Sequence, residues 1–186
     1  MRDSQPSVTR GILTGIVAGI GATIVMDQFL KLSDTGYKAA EKSLKLVDGE
    51  SPWQIAHERV QEEPPAVQPE DSTEIVASKI AQAIGKPLLT AEDKKRAGQA
   101  VHYSFGALMG VVYSVTAEMI PEVTTGGGTG FGTLLFLGAD EVAIPTLRLA
   151  PRPAETAPFD HLQYWAAHVV YGGSLELMRS LLRRLT

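Results

Sequence analysis

Gly11 to Leu30 reads GILTGIVAGIGATIVMDQFL, 20 residues with a single charge, Asp27, close to the end. As a helix rising about 1.5 Å per residue it spans about 30 Å, the thickness of a bilayer's hydrocarbon core. Gly11, Gly15 and Gly19 recur every four residues, the spacing of a glycine zipper. In water each glycine inside a helix costs about 1 kcal/mol against alanine. In lipid such a stripe lets two backbones approach closely, and packing drives their association. The stretch therefore reads as a membrane helix. It is too long for the core of a signal peptide, lacks an A-x-A site, and follows the polar segment MRDSQPSVTR, so a retained helix is expected.

Outward from this helix the charge is unevenly spread. Residues 31–96 hold 10 of the 17 Lys and Arg and 12 of the 21 Asp and Glu, leaving 7 and 9 for the rest of the chain. A polar insert thus separates apolar blocks, and the expected division is 1–32, 33–96 and 97–186. Within the insert, Ser51-Pro52-Trp53-Gln54 and Asp71 to Glu74 carry helix-start spacings. The second opens an amphipathic stretch with Val76, Ile80 and Ala83 or Ile84 on one face. EEPPAVQPED between them reads as a proline-rich linker.

Thr90 to Asp93 is a further capping box and precedes a second apolar run, residues 97–117, closed by Glu118 and Pro121. A third runs from Val123 to Leu147, apolar except for Asp140 and Glu141, with Pro145 kinking or ending it. A fourth starts at a cap, Asp160, and ends in Arg179 to Arg184. The fold expected is all-α: a four-helix transmembrane bundle with a partly helical insert after the first helix. The runs expected to end on the insert side carry 12 Lys and Arg in their connections, against 5 elsewhere, which places the insert in the cytoplasm.

There is no cysteine, which removes disulfides, thiolate metal sites and thiol nucleophiles. The net charge of -4 and the lack of a basic, aromatic-interleaved patch argue against nucleic acid as a partner. TTGGGTGFG, residues 124–132, lacks the lysine of a P-loop and any preceding strand, so it reads as helix packing or a loop. No catalytic motif and no cofactor motif is present.

Ala100 to Gly106 and Ala166 to Gly172 both read A-x-H-x-x-aromatic-G, and Gly19 precedes Asp27 as Gly132 precedes Asp140, by eight residues. The chain thus reads as two copies of a helical hairpin, parallel repeats about an axis along the membrane normal. The repeat brings Asp27, His102, Asp140, Glu141 and His168 to one end of the bundle as a buried polar cluster. An ionisable group within a membrane is costly and is a functional candidate. The cluster has three readings: a structural hydrogen-bond network, a proton or ion relay, or a metal site. The third has no H-E-x-x-H or E-x-x-H spacing behind it. Glu176 and Arg179 are placed to pair locally at the other end, with Glu118 on that side. Gly11, Gly15, Gly19, Gly106, Gly110 and Gly172 are the expected helix-packing positions. Through these faces a membrane-protein partner or a second copy would dock.

Gly138 to Pro145, followed by Ala167-His168 and Tyr171-Gly172, resembles an uncharacterised bacterial inner-membrane family typified by YagU. The resemblance covers residues 97 to the C-terminus and the first helix, and matches the insert least. It implies a multi-pass inner-membrane protein in the lipid bilayer, and supplies no enzyme activity or cofactor. The expected function is non-enzymatic, in envelope or acid-stress homeostasis or as an accessory subunit of a membrane complex. The alternatives are proton or ion conduction through the cluster, or an intramembrane metalloprotein.

Overall fold

The structure is a computed structural model, and it describes residues 7–47, 71–86, 90–149 and 158–185. Among these residues every regular element is helical. The elements are α1 (Val8–Val47), α2 (Ser72–Ala83), α3 (Ala91–Met119), a 3₁₀ turn (Pro121–Thr124) and α4 (Thr129–Leu135). A π-helical segment (Phe136–Ala143) then leads into the short α5 (Ile144–Thr146), and α6 (Pro158–Leu185) completes the chain. Ser51 to Gln54 and the proline-rich linker lie outside the described residues.

The glycine-rich first run does form a helix, but α1 continues unbroken to Val47, about 60 Å by helical rise. Nothing helix-breaking follows Leu30, since Gly36 is the lone glycine before Val47 and no proline intervenes. The start of α3 follows its capping box: the Thr90 hydroxyl accepts from the Asp93 N–H at 3.2 Å. Asp71 caps α2 by accepting from Thr73 N–H, one residue earlier than the expected bond to Glu74. The buried face of α2 is Ala77 and Ala81, not Ile80 and Ile84, which stay exposed. The small residues win that face because α2 lies close on α3, where a Cβ at Gly98 would meet the Glu74 side chain at 2.8 Å.

The third apolar run is not one helix from Val123. Gly126, Gly127 and Gly128 all take positive φ, which interrupts the chain between the 3₁₀ turn and α4. Further on, the Ile144 N–H bonds to the Ala139 carbonyl, five residues back, and Pro145 has no N–H to continue an α ladder. α6 begins at Pro158, so Asp160 sits in its first turn instead of capping it.

Among the described residues two helices, not four, are long and apolar enough to cross a membrane: α1 over Val8–Ala40, and α3. The third run is shortened by its glycine turn and carries Asp140 and Glu141, while α6 carries Asp160, Glu176, Arg179 and Arg183.

Residue pairings give the topology. Going up α1, Gly11 faces Val115, Gly15 faces Val111 and Gly19 faces Ala107, so α1 and α3 are antiparallel. Gly128 lies on Gly172 and Gly132 on His168, so α4 and α6 are antiparallel too. Tyr113 meets Glu176 and Glu118 meets Arg179, which sets α3 parallel to α6. The helices therefore run up, down, up, down. The centre is Ala18, Ala22, Met26, Tyr113, Ala167, Tyr171 and Leu175.

Glycines close both hairpins. A Cβ on Gly15 would lie 2.6 Å from the Val111 Cα, and one on Gly110 would lie 2.7 Å from the Gly19 Cα. Gly106 sits against the Thr23 hydroxyl, and a Cβ on Gly172 would meet the Gly132 nitrogen at 2.9 Å. At Gly15, Gly110 and Gly172 no side chain fits without moving a backbone, and at Gly106 the Thr23 side chain would have to move.

Candidate functional site

Asp27 lies two turns beyond Gly19 on α1, where α3 presents two consecutive polar residues. The His102 Nε2 meets Asp27 Oδ1 at 3.0 Å, and the Tyr103 hydroxyl donates to Asp27 Oδ2 at 2.9 Å. Both carboxylate oxygens are thus held by α3. The imidazole and carboxylate remain partly exposed, at 31% and 20% of their side-chain surface.

The second hairpin repeats the pairing. His168 Nδ1 lies 3.6 Å from Asp140 Oδ2. The same nitrogen is 2.9 Å from the Tyr164 carbonyl, one turn back on α6. A carbonyl only accepts, so Nδ1 carries the proton there, and the Asp140 contact is electrostatic. His168 itself is buried, with its ring against Phe136 at 5.8 Å. Glu141, the neighbour of Asp140, pairs with a residue the sequence reading did not single out: His161 Nδ1, at 2.6 Å.

The π segment explains why two adjacent carboxylates both reach α6. Its turn is wider than an α turn, so successive side chains diverge less. Their partners, His161 and His168, are seven residues apart on one face of α6. Because α4 and α6 run antiparallel, the later carboxylate meets the earlier histidine. The signal for His161 was its place in the first turn of α6, the turn that faces the end of the preceding run.

The five expected residues do come to one end of the bundle, but as separate pairs. Among the described residues no three of His, Asp or Glu converge as metal ligands would. The pairs are nevertheless within electrostatic reach of one another, since Asp140 feels His102 and the Asp71 cap as well as His168 and Glu141.

The opposite end holds a second polar layer, more deeply buried. Arg179 reaches Glu176 with two bonds, 2.7 and 2.8 Å. Glu176 also accepts from the Tyr113 hydroxyl at 2.9 Å. Glu118 takes Arg183 at 3.1 Å, lies 4.0 Å from Arg179, and accepts the Ser7 N–H at 3.5 Å. Glu118 and Arg179 are both 5% exposed. Two arginines and two glutamates balance, as burial of charge requires.

The family model described as "Protein of unknown function (DUF1440)" matches residues 56–177, about two thirds of the chain. The chain belongs to the DUF1440 family. No curated protein and no solved structure matches it. The DUF1440 match begins inside the polar insert and omits α1, whereas the resemblance read from the sequence left out the insert and included the first helix. The DUF1440 stretch contains His102, Tyr103, Glu118, Asp140, Glu141, His161, His168 and Glu176. Asp27, Arg179 and Arg183, which complete the pairs, lie outside it.

Proposed function

We propose that this chain is a multi-pass protein of the bacterial inner membrane, of the YagU type. In this reading all four long helical runs lie in the bilayer, and the carboxylate–histidine pairs at one end bind and release protons. The role is non-enzymatic, in envelope or acid-stress homeostasis.

The observation that carries it is the inverted distribution of side chains. Leu13, Val17, Leu108, Leu134, Val142 and Leu177 are each more than half exposed. The interior holds alanine, glycine, Thr14, Thr23, Ser114 and tyrosine, together with the large apolar side chains of Met26, Phe136 and Leu175. In the apolar windows of α1 and α3, 39% and 28% of residues are buried, where the core helix of a water-soluble protein would be mostly buried. A lipid solvent accounts for large aliphatic side chains outside and small or hydrogen-bonded ones inside.

The two polar layers support the same reading. From His102 to Glu118 along α3 is about 24 Å by helical rise, close to the hydrocarbon thickness. Trp165 and Tyr164 are exposed on α6 near the histidine layer, as residues of a membrane interface are. The Lys and Arg balance puts that layer on the cytoplasmic side.

An imidazole beside a carboxylate exchanges its proton near neutral pH, which suits proton uptake at this end. The test is ¹⁵N-histidine spectroscopy of the protein in nanodiscs across a pH series. Reversible titration of the three paired imidazoles is expected, and imidazoles that hold one state throughout would sink the reading. Placement is checked separately, because the chain has no native cysteine. A cysteine at Leu13 or Leu108 should resist a water-soluble maleimide in membranes, and one at Leu32 should react.

A further inference from the structure

The polar ties divide by end. At the histidine end they stay inside a hairpin: Asp27 with His102 and Tyr103, Asp140 with His168, and Glu141 with His161. At the arginine end they cross between hairpins, Tyr113 to Glu176 and Glu118 to Arg179 and Arg183, and act as a latch. The two glutamates and two arginines of this latch balance in charge.

Two polar atoms of this end are left over. Arg179 gives its Nε and Nη2 to Glu176, but its Nη1 is buried and hydrogen-bonds to no group among the described residues. Nη1 faces Glu118 Oε1 across 4.0 Å, too far for a direct hydrogen bond. The second atom is the Ser114 hydroxyl, wholly buried and equally without a partner among the described residues. Ser114 precedes Glu118 by four residues on α3, so both side chains leave one face of the helix, about 6 Å apart at their Cβ atoms. Thr14 and Thr23, buried on α1, turn their hydroxyls back to carbonyls four residues earlier. Ser114 does not. A buried donor with no acceptor costs its full desolvation, so two of them beside one carboxylate need an explanation.

We propose that Ser114, Glu118 and Arg179 hold a bound water. The water accepts from Arg179 Nη1–H, donates to Glu118 Oε1 across the gap, and makes its third bond with the Ser114 hydroxyl. About three bonds is the usual number for a buried water. Charge selects a neutral occupant: an anion at Nη1 would face Glu118, a cation at Oε1 would face Arg179, and either would unbalance the layer. Size selects water, because one oxygen atom bridges two polar atoms 4.0 Å apart. The bound water solvates an ion pair that a lipid-facing bundle cannot otherwise hydrate. Arg183, partly exposed and bound to the same Glu118 oxygen, lies between the site and solvent. The site stands independently of proton binding at the histidine pairs.

The first test uses the full chain in nanodiscs, labelled with ¹⁵N-arginine, and follows magnetisation transferred from water to the guanidinium nitrogens. Arg179→Lys, which keeps the charge, identifies the Arg179 signals by their loss. Transfer to an Arg179 Nη is expected, and an Arg179 guanidinium that receives none overturns the proposal. The second test is the sign of a change in Tm. Ser114→Ala is compared with Ser104→Ala, an exposed serine on the same helix that carries the same change in helix propensity. A hydroxyl bonded to water loses that bond, so Ser114→Ala should melt a few degrees below Ser104→Ala and weaken the transfer to Arg179. An orphaned hydroxyl is a cost removed, so a Ser114→Ala protein that melts at or above the Ser104→Ala value overturns the proposal. Should Arg179→Lys fail to fold, this comparison decides alone. A wild-type Tm that climbs with chloride at fixed ionic strength would make the occupant an anion and overturn the choice of water.

Discussion

The difference between Gly110 and Gly130 is a difference in what a single methyl group would meet. At Gly110 an added Cβ runs into the Gly15 carbonyl and comes within 2.7 Å of the Gly19 Cα, both backbone atoms of α1. Backbone cannot rotate away as a side chain can, so α1 and α3 must separate. Gly110→Ala should therefore destabilise the bundle by about 1–3 kcal/mol, the usual cost of overpacking. At Gly130 nothing lies within 4 Å, and its φ is not positive. Gly130→Ala should be neutral or stabilising by up to about 1 kcal/mol, because alanine is the better helix former. Thermal unfolding of the two variants in detergent, followed by tryptophan fluorescence, compares them directly. Equal loss in both would mean that glycine content matters here and the close approach does not. The glycine periodicity in α1 was legible in the sequence because a four-residue spacing marks one helix face whatever lies opposite. What faced it was not, since nothing local to Gly15 names Val111.

The segment from Thr129 to Thr146 is where local sequence and final structure diverge most. Its hydrophobicity reads as one helix, yet it starts late, after three glycines in left-handed backbone, and widens into a π turn before Pro145. Proline removes one donor and crowds the carbonyl four residues back, so an α ladder through Glu141 is unfavourable. The π turn is the chain's way of keeping a continuous helix up to that proline. Pro145→Ala restores the donor and should let the segment relax toward α geometry. Asp140 and Glu141 would then diverge more widely, and one of them would leave its histidine. The expected readout is selective: the ¹⁵N signals of His161 or His168 shift while those of His102, whose partner sits on α1, do not. A variant in which all three signals remain as before would separate the π turn from the pairing. Sequence reading placed the two carboxylates at the correct end because end assignment needs only helix order. It missed His161 because pairing depends on the register between two runs, and the π turn changes that register.

At the scale of the whole molecule, the two polar layers differ in burial and so in what they contribute. The histidine layer is partly exposed, and pairs of that kind contribute little to stability. In the arginine layer Glu118 and Arg179 are almost fully buried, and removing one partner of such a pair leaves an uncompensated charge at a cost of about 3–5 kcal/mol. Glu118→Gln removes the carboxylate that faces both Arg179 and Arg183. It should therefore destabilise the protein strongly, while Asp27→Asn, at the other end, should cost about 1 kcal/mol or less. Replacing Glu118 and Arg183 together should recover part of the loss, since the second change removes one of the orphaned charges. The double-mutant comparison distinguishes a latch from simple packing: packing would make the two losses add. The likeness of the two hairpins, each with an aspartate facing a histidine, had its sign in the sequence as two short matching motifs. Its mechanical consequence, stitches within hairpins at one end and between them at the other, was not. It depends on Tyr113, Glu118, Glu176, Arg179 and Arg183, which have no counterparts in the matching motifs. If this buried layer holds the hairpins together, Glu118→Gln should also broaden the distance distribution between spin labels at Met119→Cys and Leu185→Cys, and an unchanged distribution would leave the layer no part in holding them.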